Sequence, residues 1–169
     1  MSSRIYRGFT LATLALALAA CSSVPLDESQ GTDAGADARG TGDPSTGVVM
    51  DPFDPASPLS QDRSVYFDFD SYEVADQYRD VVEMHSGYLR DTPEQQVRIE
   101  GHADERGGTE YNLALGQRRS EAVARMMNLL GVNRDQIETI SFGKERPRAL
   151  GNTEADYAEN RRADIDYQR

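Results

Sequence analysis

A strand pattern that changes directly into a long helix pattern is the feature of this sequence that most constrains its fold. Residues 97–101, Val-Arg-Ile-Glu-Gly, alternate apolar and charged side chains with period two and stop at a glycine, which predicts a half-buried strand. A polar loop at residues 102–108 follows, and Thr109 is the predicted N-cap of a helix. Apolar residues at helical spacing then define the buried face of that helix: Leu115, Ala122, Val123, Met127 and Leu130.

The rest of the C-terminal sequence repeats this alternation of strand and helix patterns. The predicted elements are a strand at 65–69, a helix after an Asp70-Ser71 N-cap that ends at 91–93, a strand at 137–142, a short helix at 154–159 and a strand near 163–167. Gly131 is the predicted C-cap of the long helix. This order predicts an α/β fold, a βαβαβ unit with an added αβ unit, whose helices pack on one side of a small mixed sheet. The segment 63–169 is long enough for one compact core.

Arg119 is a charged residue at a position that the helix pattern predicts to be buried. It lies four residues after Leu115 and four before Val123, on or beside the apolar stripe. A guanidinium there needs an anionic partner, and a charge-assisted hydrogen bond in such a place stabilises by roughly 1.5–3 kcal/mol. Asp104 in the preceding loop would give an internal ion pair. A ligand would instead give a zwitterion site, in which Asp104 binds an ammonium and Arg119 a carboxylate.

Five segments of the chain resemble, in the same order, the peptidoglycan-associated lipoproteins, whose periplasmic domain has the OmpA-like peptidoglycan-binding fold. They are VYFDFDSY (65–72), VRIEGHADERG (97–107), EYNLALGQRRSEAV (110–123), ISFGKERP (140–147) and YAENRRADIDY (157–167). The resemblance implies the same sandwich of helices and sheet that the patterns predict. It also implies that the domain binds the diaminopimelate-containing stem peptide of peptidoglycan without cleaving it.

The same resemblance implies site residues and partners. The family's key acidic and basic residues correspond to Asp104 and Arg119. Further pocket positions correspond to Phe69, Asp70, Arg106 and Leu115. Family members also bind proteins of the Tol system, including the propeller protein TolB. The domain is therefore expected to bind peptidoglycan or, as the alternative, to be a protein-docking module of the envelope without direct wall binding.

The N-terminal sequence predicts export and a lipid anchor. Arg4 and Arg7 precede an apolar run at residues 9–20, which is too short to span a bilayer but typical of a signal peptide, here residues 1–20. Small residues then precede Cys21, the only cysteine, and resemble the lipobox of bacterial lipoproteins, in which this cysteine is acylated. Acyl chains would anchor the protein in a membrane. Ser22 directly after the cysteine resembles lipoproteins that are released to the outer membrane, and this resemblance implies an outer-membrane anchor with the domain facing the periplasm. The alternatives are an ordinary signal peptide that contains Cys21 and a buried free thiol.

Residues 21–62 are predicted to be the acylated cysteine and a flexible acidic linker. From Ser22 to Asp62 the sequence is rich in Gly, Ala, Ser, Thr, Asp and Pro, and it carries eight acidic residues against one arginine. Such a segment buries too little apolar surface to fold, and its charge keeps it extended. Its predicted role is that of a tether, which lets the domain extend away from the lipid anchor. The alternative is a binding motif around residues 48–53.

Charge and composition argue against several function classes. A formal net charge of −11 does not suit a nucleic-acid partner. His102, Asp104 and Glu105 superficially resemble a metal or acid–base site, but the chain has only two histidines and no HExxH motif, and an acylated Cys21 leaves no thiol. The sequence therefore predicts a binding protein rather than an enzyme, with no cofactor and no bound metal.

Overall fold

The structure is a computed structural model that describes residues 50–169. Within this range helices and strands alternate along the chain. In order they are α1 (Pro58–Gln61), β1 (Ser64–Tyr66), α2 (Arg79–Asp91), β2 (Val97–His102), α3 (Thr109–Leu129), β3 (Ile137–Gly143), α4 (Glu154–Asn160) and β4 (Arg162–Tyr167). Short 3₁₀ turns at Asp76–Tyr78 and Arg134–Gln136 precede α2 and β3.

The four strands form one mixed sheet in the order β1-β4-β2-β3. β2 runs parallel to β3, with Ile99 opposite Thr139, and antiparallel to β4, with Ile99 opposite Ile165. β4 in turn pairs antiparallel with β1. The parallel pair is possible because α3 forms the crossover from β2 to β3. The predicted fold class, a βαβαβ unit with an added αβ unit on a small mixed sheet, is confirmed.

One face of the sheet carries the hydrophobic core. Ile99 and Ile165, from the two central strands, are buried in one cluster with Val82 of α2 and Met127 of α3. Side chains at alternate strand positions lie on the other face, which is polar. There Asp164 accepts hydrogen bonds from Ser64, Arg148 and Arg162. The period-two pattern of the sequence therefore separates a core face from an ion-paired face.

Two glycines let α3 approach the end of β2 closely. A Cβ atom on Gly101 would overlap the carbonyl group of Gly116, and a Cβ atom on Gly116 would overlap the hydroxyl of Ser141. Any larger residue at either position would push the helix away from the sheet. The close contact places Arg119, almost one turn beyond Gly116, beside the last residue of β2. There its Nη1 donates to the carbonyl oxygen of His102 at 2.8 Å.

The segment after β1 differs from the prediction. Phe67 packs in the core, as the alternation predicts, but Phe69 has left the sheet and is 62% exposed. Asp70 has a φ of 53°, in the left-handed region, so the predicted Asp70-Ser71 N-cap is wrong, because an N-cap has extended backbone. Helical structure begins only at Asp76. The residues in between form a loop that carries Phe69 and Asp70 away from the core.

The caps of α3 differ from the predicted residues by one position. Gly108, with extended backbone, is the N-cap, and Thr109 is the first helical residue. No side chain caps this end, so the preference for a hydroxyl that favoured Thr109 does not apply here. Leu130 is the C-cap, and Gly131 follows it with a φ of 95°. Gly131 therefore ends the helix through its left-handed backbone but lies one residue beyond the C-cap, so the C-cap is one residue earlier than predicted.

Part of the predicted linker is folded. Residues 58–61 form α1, and Leu59 within it is fully buried. The ring of Phe53 packs edge to face on Tyr167 at 6.5 Å, and the carbonyl oxygen of Asp62 accepts a hydrogen bond from His85. Folded structure therefore begins before the predicted boundary at residue 63, because Phe53 and Leu59 supply apolar surface within a polar, proline-rich segment. The predicted signal peptide, Cys21 and the linker up to residue 49 lie outside the described residues.

Candidate functional site

A cavity of about 160 Å³ opens where β2 ends. All six residues that the sequence analysis assigned to the pocket line it: Phe69, Asp70, Asp104, Arg106, Leu115 and Arg119. Five further residues complete the lining: Ala103, Gly107, Tyr111, Asn112 and Arg161. The structure thus brings the predicted residues together from the loop after β1, the loop after β2 and the first half of α3.

Arg119 is fully buried at the inner wall of the cavity. Its Nε donates to the carbonyl oxygen of Ser71 at 2.8 Å, its Nη1 to that of His102 at 2.8 Å and its Nη2 to that of Asp68 at 3.2 Å. Burial lowers the pKa of Arg119 to about 10, so the side chain stays protonated at neutral pH. Arg119 forms no ion pair with a carboxylate in residues 50–169, so of the two alternatives the internal Asp104–Arg119 ion pair is wrong.

Asp104 pairs with two other arginines. Its Oδ1 accepts from the backbone N–H and the Nε of Arg106 at 3.1 and 3.3 Å. Its Oδ2 accepts from Nη2 of Arg106 at 2.6 Å and from Nη1 of Arg161 at 3.4 Å. Burial is the largest effect on this carboxyl and opposes its ionisation, but the hydrogen bonds from Arg106 outweigh burial and hold the pKa of Asp104 below its usual value. Asp104 is therefore ionised, 6% exposed and enclosed by cations.

Arg106 forms the outer wall of the cavity and is held by aromatic rings as well as by Asp104. Its guanidinium carbon lies 4.3 Å from the ring centre of Phe69 and 4.4 Å from that of Tyr157. Its Nη1 donates to Glu154 at 3.3 Å. Cation–π contacts of this kind favour the guanidinium in this position. The exposed ring of Phe69 is thus part of the structure that orients Arg106.

Arg161 is a lining residue to which the sequence analysis gave no site role. Its Nε donates to the carbonyl oxygen of Phe67 at 3.0 Å, and its Nη1 contacts Glu154 at 2.8 Å in addition to Asp104. The pair of adjacent arginines at the start of the last strand was the available signal. Nothing in the local pattern indicated that Arg161 turns toward the cavity while Arg162 turns toward the polar face of the sheet.

Asn112 is the second lining residue that sequence reasoning missed. It lies on α3, three residues before Leu115, and is 2% exposed. Its Nδ2 donates to the carbonyl oxygens of Asp104 and Arg106, at 3.3 and 2.9 Å. The amide therefore ties the loop after β2 to the helix. A polar residue at a core spacing of α3 was the signal for it.

Asp70 and Tyr111 stand at the mouth of the cavity. The hydroxyl of Tyr111 donates a hydrogen bond to the Asp70 carboxylate, which raises the pKa of Tyr111. Tyr111 is 51% exposed, and Leu115 below it contributes an apolar wall. The mouth therefore combines a solvent-accessible carboxylate with aromatic surface.

The lining charges suit a small group that carries both signs of charge. Two carboxylates, Asp70 and Asp104, face three guanidinium groups, those of Arg106, Arg119 and Arg161. The carbonyl partners of Arg119 are neutral, so they satisfy its hydrogen bonds without cancelling its charge. No cluster of three or more potential metal ligands occurs in the part of the chain that the structure describes.

Comparison with known proteins identifies the family. The OmpA family model matches residues 66–161. The peptidoglycan-associated lipoprotein of Legionella pneumophila is 36% identical over 96% of this chain and 95% of its own length. That of Pseudomonas aeruginosa is 39% identical over 91% of this chain and 94% of its own length. The chain belongs to the OmpA family, among the peptidoglycan-associated lipoproteins.

Solved structures agree with this family assignment. The crystal structure of the peptidoglycan-associated lipoprotein from Burkholderia pseudomallei is 56% identical and superimposes with a TM-score of 0.67, over 69% of this chain and 98% of that one. The OmpA-like domain of FopA1 from Francisella tularensis is 22% identical with a TM-score of 0.53, and it shares the fold alone. The resemblance to the peptidoglycan-associated lipoproteins that the five sequence segments carry is confirmed.

Proposed function

We propose that this OmpA-family lipoprotein tethers the outer membrane to peptidoglycan by non-covalent binding of the diaminopimelate-type stem peptide. The observation that carries the proposal is the buried guanidinium of Arg119 in the wall of a 160 Å³ cavity, with no carboxylate of residues 50–169 paired to it. Free diaminopimelate ends carry an ammonium and a carboxylate on one carbon. A cavity with guanidinium and carboxylate walls complements such a group. The relatives are peptidoglycan-associated lipoproteins, which supports a ligand from the cell wall.

The geometry of Arg119 supports a role in carboxylate binding. Three of the five N–H groups of a guanidinium are fixed on backbone carbonyls, which leaves two for a ligand. Because the side chain is already held in place, binding costs little further side-chain entropy. Arg106, which contacts the rings of Phe69 and Tyr157, is a second cation in the cavity lining.

The tether further requires the N-terminal part of the chain. Acylation of Cys21 would anchor the protein in the outer membrane, and the acidic segment from Ser22 would span the distance to the wall. The domain binds without a chemical step, so no cofactor enters the proposal.

Co-sedimentation with purified cell-wall sacculi tests the proposal. The parent protein should pellet with the sacculi, and Arg106→Gln should stay in the supernatant. Arg118→Gln is the matched control, because Arg118 is a neighbouring exposed arginine that contacts Tyr72 and does not line the cavity. Free diaminopimelate should release the parent from the pellet. A folded parent that stays soluble, or an Arg106→Gln variant that pellets normally, would contradict the proposal.

A second candidate function is protein docking within the Tol system, with a partner such as TolB. The specific observation in its favour is the exposed aromatic surface at the cavity mouth, where Phe69 and Tyr111 are 62% and 51% exposed. Large exposed aromatic groups are typical of protein contacts. Since this surface surrounds the proposed wall site, a bound partner would exclude the wall, and adding it would reduce co-sedimentation.

A further inference from the structure

The strand at one edge of the sheet, β3, is long and open on its outer side. It has seven residues, whereas β1 at the other edge has three. Outside its pairing with β2, no backbone hydrogen bond in residues 50–169 involves residues 138–141. Alternate N–H and C=O groups of this stretch therefore point outward without a partner in that range. Short strands and prolines commonly protect a sheet edge, and β3 has neither feature, so it can pair with a further strand.

An apolar groove of about 500 Å³ lies beside this open edge, between α3 and β3. Leu113 and Ala114 of α3 line one side of the groove, and residues 139–141 of β3 line the other. Leu113 is 49% exposed although it is a large aliphatic side chain. No residue that lines the cavity at the end of β2 also lines the groove. The edge and the groove thus form one surface that is separate from the proposed wall site.

A second copy of the chain fits this surface by symmetry. Ile140 is the middle residue of β3 (Ile137–Gly143) and also lines the groove. Two copies of β3 that pair antiparallel over their full length would therefore meet at Ile140 on a two-fold axis. The axis would be perpendicular to the sheet, so the two α3 helices would lie on the same face with Leu113 of each copy between them. Two four-stranded sheets would join into one of eight strands.

Charged groups at the two ends of β3 complement each other in this arrangement. Residues 138 and 142 are symmetric about 140, so Glu138 of one copy would lie opposite Phe142 of the other, on the same face. The guanidinium carbon of Arg146 is 3.6 Å from the ring centre of Phe142, and Arg146 forms no ion pair within residues 50–169. Oε2 of Glu138 accepts from Arg98 at 2.9 Å, which leaves Oε1 without a partner in that range. Symmetry would form the Glu138–Arg146 contact twice.

We propose that the chain forms a homodimer through antiparallel pairing of two β3 strands, centred on Ile140. The inference goes beyond the proposed function, because the pairing needs neither the cavity nor a wall ligand. A dimer presents two cavities, which raises the effective affinity for any ligand that is repeated along a polymer.

Disulfide cross-linking in membranes of cells that make the full chain tests the pairing. Directly opposite residues of an antiparallel pair have Cα atoms roughly 4.5–5.5 Å apart, which suits a disulfide. Ile140→Cys should therefore link to itself when diamide removes one hydrogen from each of two thiols. The control is Leu129→Cys, at an 88% exposed position near the end of α3, where two copies meet only by collision. Ile140→Cys should give about ten-fold more linked dimer than this control, and Cys21 is the same in both chains.

The charge contact is tested in the Ile140→Cys chain. Arg146→Glu would place two carboxylates together at both ends of the paired strands, and it should reduce the linked dimer about ten-fold. Arg118→Glu is the matched control, because it makes the same change of charge at an arginine that contacts Tyr72 in the loop after β1. It should leave the yield of linked dimer unchanged.

Sedimentation velocity of the parent chain in detergent is a second measurement that needs no substitution at the edge. The parent should sediment as a dimer, and Arg146→Glu should shift it toward the monomer. A parent that stays monomeric up to about 0.1 mM would overturn the proposal. So would equal cross-linking of Ile140→Cys and Leu129→Cys. If Ile140→Cys instead links to another protein, the edge takes a different partner and the homodimer is refuted. None of these outcomes affects the wall-binding proposal, which co-sedimentation tests separately.

Discussion

Mild acid should destabilise the domain through His85. This side chain is fully buried between α2 and β4, where its Nδ1 lies 2.8 Å from the hydroxyl of Tyr167 and its Nε2 lies 2.8 Å from the carbonyl oxygen of Asp62. A carbonyl only accepts, so Nε2 carries the proton, and Nδ1 accepts from the tyrosine hydroxyl. The neutral ring satisfies both contacts, and a second proton on Nδ1 would displace the hydrogen of Tyr167.

The magnitude follows from the difference in pKa between the folded and unfolded chains. Burial is the main cause that lowers the pKa of His85 from 6.5 to about 4. Below pH 6.5 His85 is protonated in the unfolded chain, whereas in the folded protein it stays neutral down to about pH 4. The contribution of neutral His85 to the free energy of unfolding is therefore fully present above pH 6.5 and is lost as pH falls from 6.5 to 4. Between pH 7.5 and 5.5 the loss is about 1.3 kcal/mol for one such histidine.

His102 adds to the effect in the same direction. Burial and the nearby Arg162 lower its pKa to about 4, although Asp164, 3.6 Å from its Nε2, acts in the opposite sense. The two histidines together predict a loss of about 3 kcal/mol between pH 7.5 and 5.5. That is a large share of the free energy of unfolding of a typical domain, which is about 5–15 kcal/mol at about 25 °C.

Urea unfolding followed by circular dichroism at a series of pH values measures this slope. His85→Gln is the informative variant, because a glutamine amide can donate to the Asp62 carbonyl and accept from Tyr167 without titrating. Its free energy of unfolding should fall by about half as much as that of the parent between pH 7.5 and 5.5. Parent and variant are compared at each pH, so the effect of the carboxylates, which are the same in both proteins, cancels from the difference in their free energies of unfolding. A parent whose stability is flat over this range, or a variant with the full parental slope, would refute the reasoning.

Three further predictions concern packing and the buried charge, each measured by urea unfolding at pH 7.5. Gly101→Ala should destabilise by at least about 1–3 kcal/mol because the new methyl overlaps the carbonyl of Gly116. Its control is Gly87→Ala in α2, where the new methyl meets the end of the flexible Arg90 side chain at 4.0 Å without overlap, and this change should stabilise by up to about 1 kcal/mol. Leu59→Ala should lower the free energy of unfolding by about 2–5 kcal/mol if α1 belongs to the folded domain. An unchanged free energy of unfolding would mean that α1 is part of the linker. Arg119→Ala should cost about 3 kcal/mol or more by leaving three carbonyl oxygens without their donor, and an unchanged stability would contradict that role.

The periodicity of the sequence predicted which segments become strands and helices, because that information is local. The bounds of β2, β3 and α4 differ from prediction by a residue or so. The order β1-β4-β2-β3 was not predictable in this way, since it depends on which strands pair across long stretches of chain. The folded segment around Leu59 was missed for a related reason. Two apolar residues, Phe53 and Leu59, carry little periodic signal, and Phe53 packs on Tyr167 at the other end of the domain, a contact that no local pattern can indicate.

The loop after β1 shows where a local rule is overridden by tertiary contacts. Asp70-Ser71 has the composition of an N-cap, and the next apolar residues have helical spacing. In the fold the carbonyl oxygens of Asp68 and Ser71 accept from the buried guanidinium of Arg119. A helix that began at this point would use the carbonyl of Ser71 for its own ladder. The buried cation therefore competes with helix formation and favours the left-handed turn at Asp70.

That competition also explains why the partner of Arg119 could not be read from sequence, although its burial could. An arginine in an apolar stripe predicts a buried charge, and the usual expectation is a carboxylate such as Asp104. The observed partners are backbone carbonyls, those of Asp68 and Ser71 in the loop after β1 and that of His102 at the end of β2, and backbone carbonyls have no side-chain signature. Neutral partners fix the guanidinium without neutralising it, whereas an internal carboxylate would have neutralised the positive charge of Arg119. The backbone carbonyl partners of Arg119, which the sequence could not indicate, thus leave an uncompensated positive charge at the cavity wall.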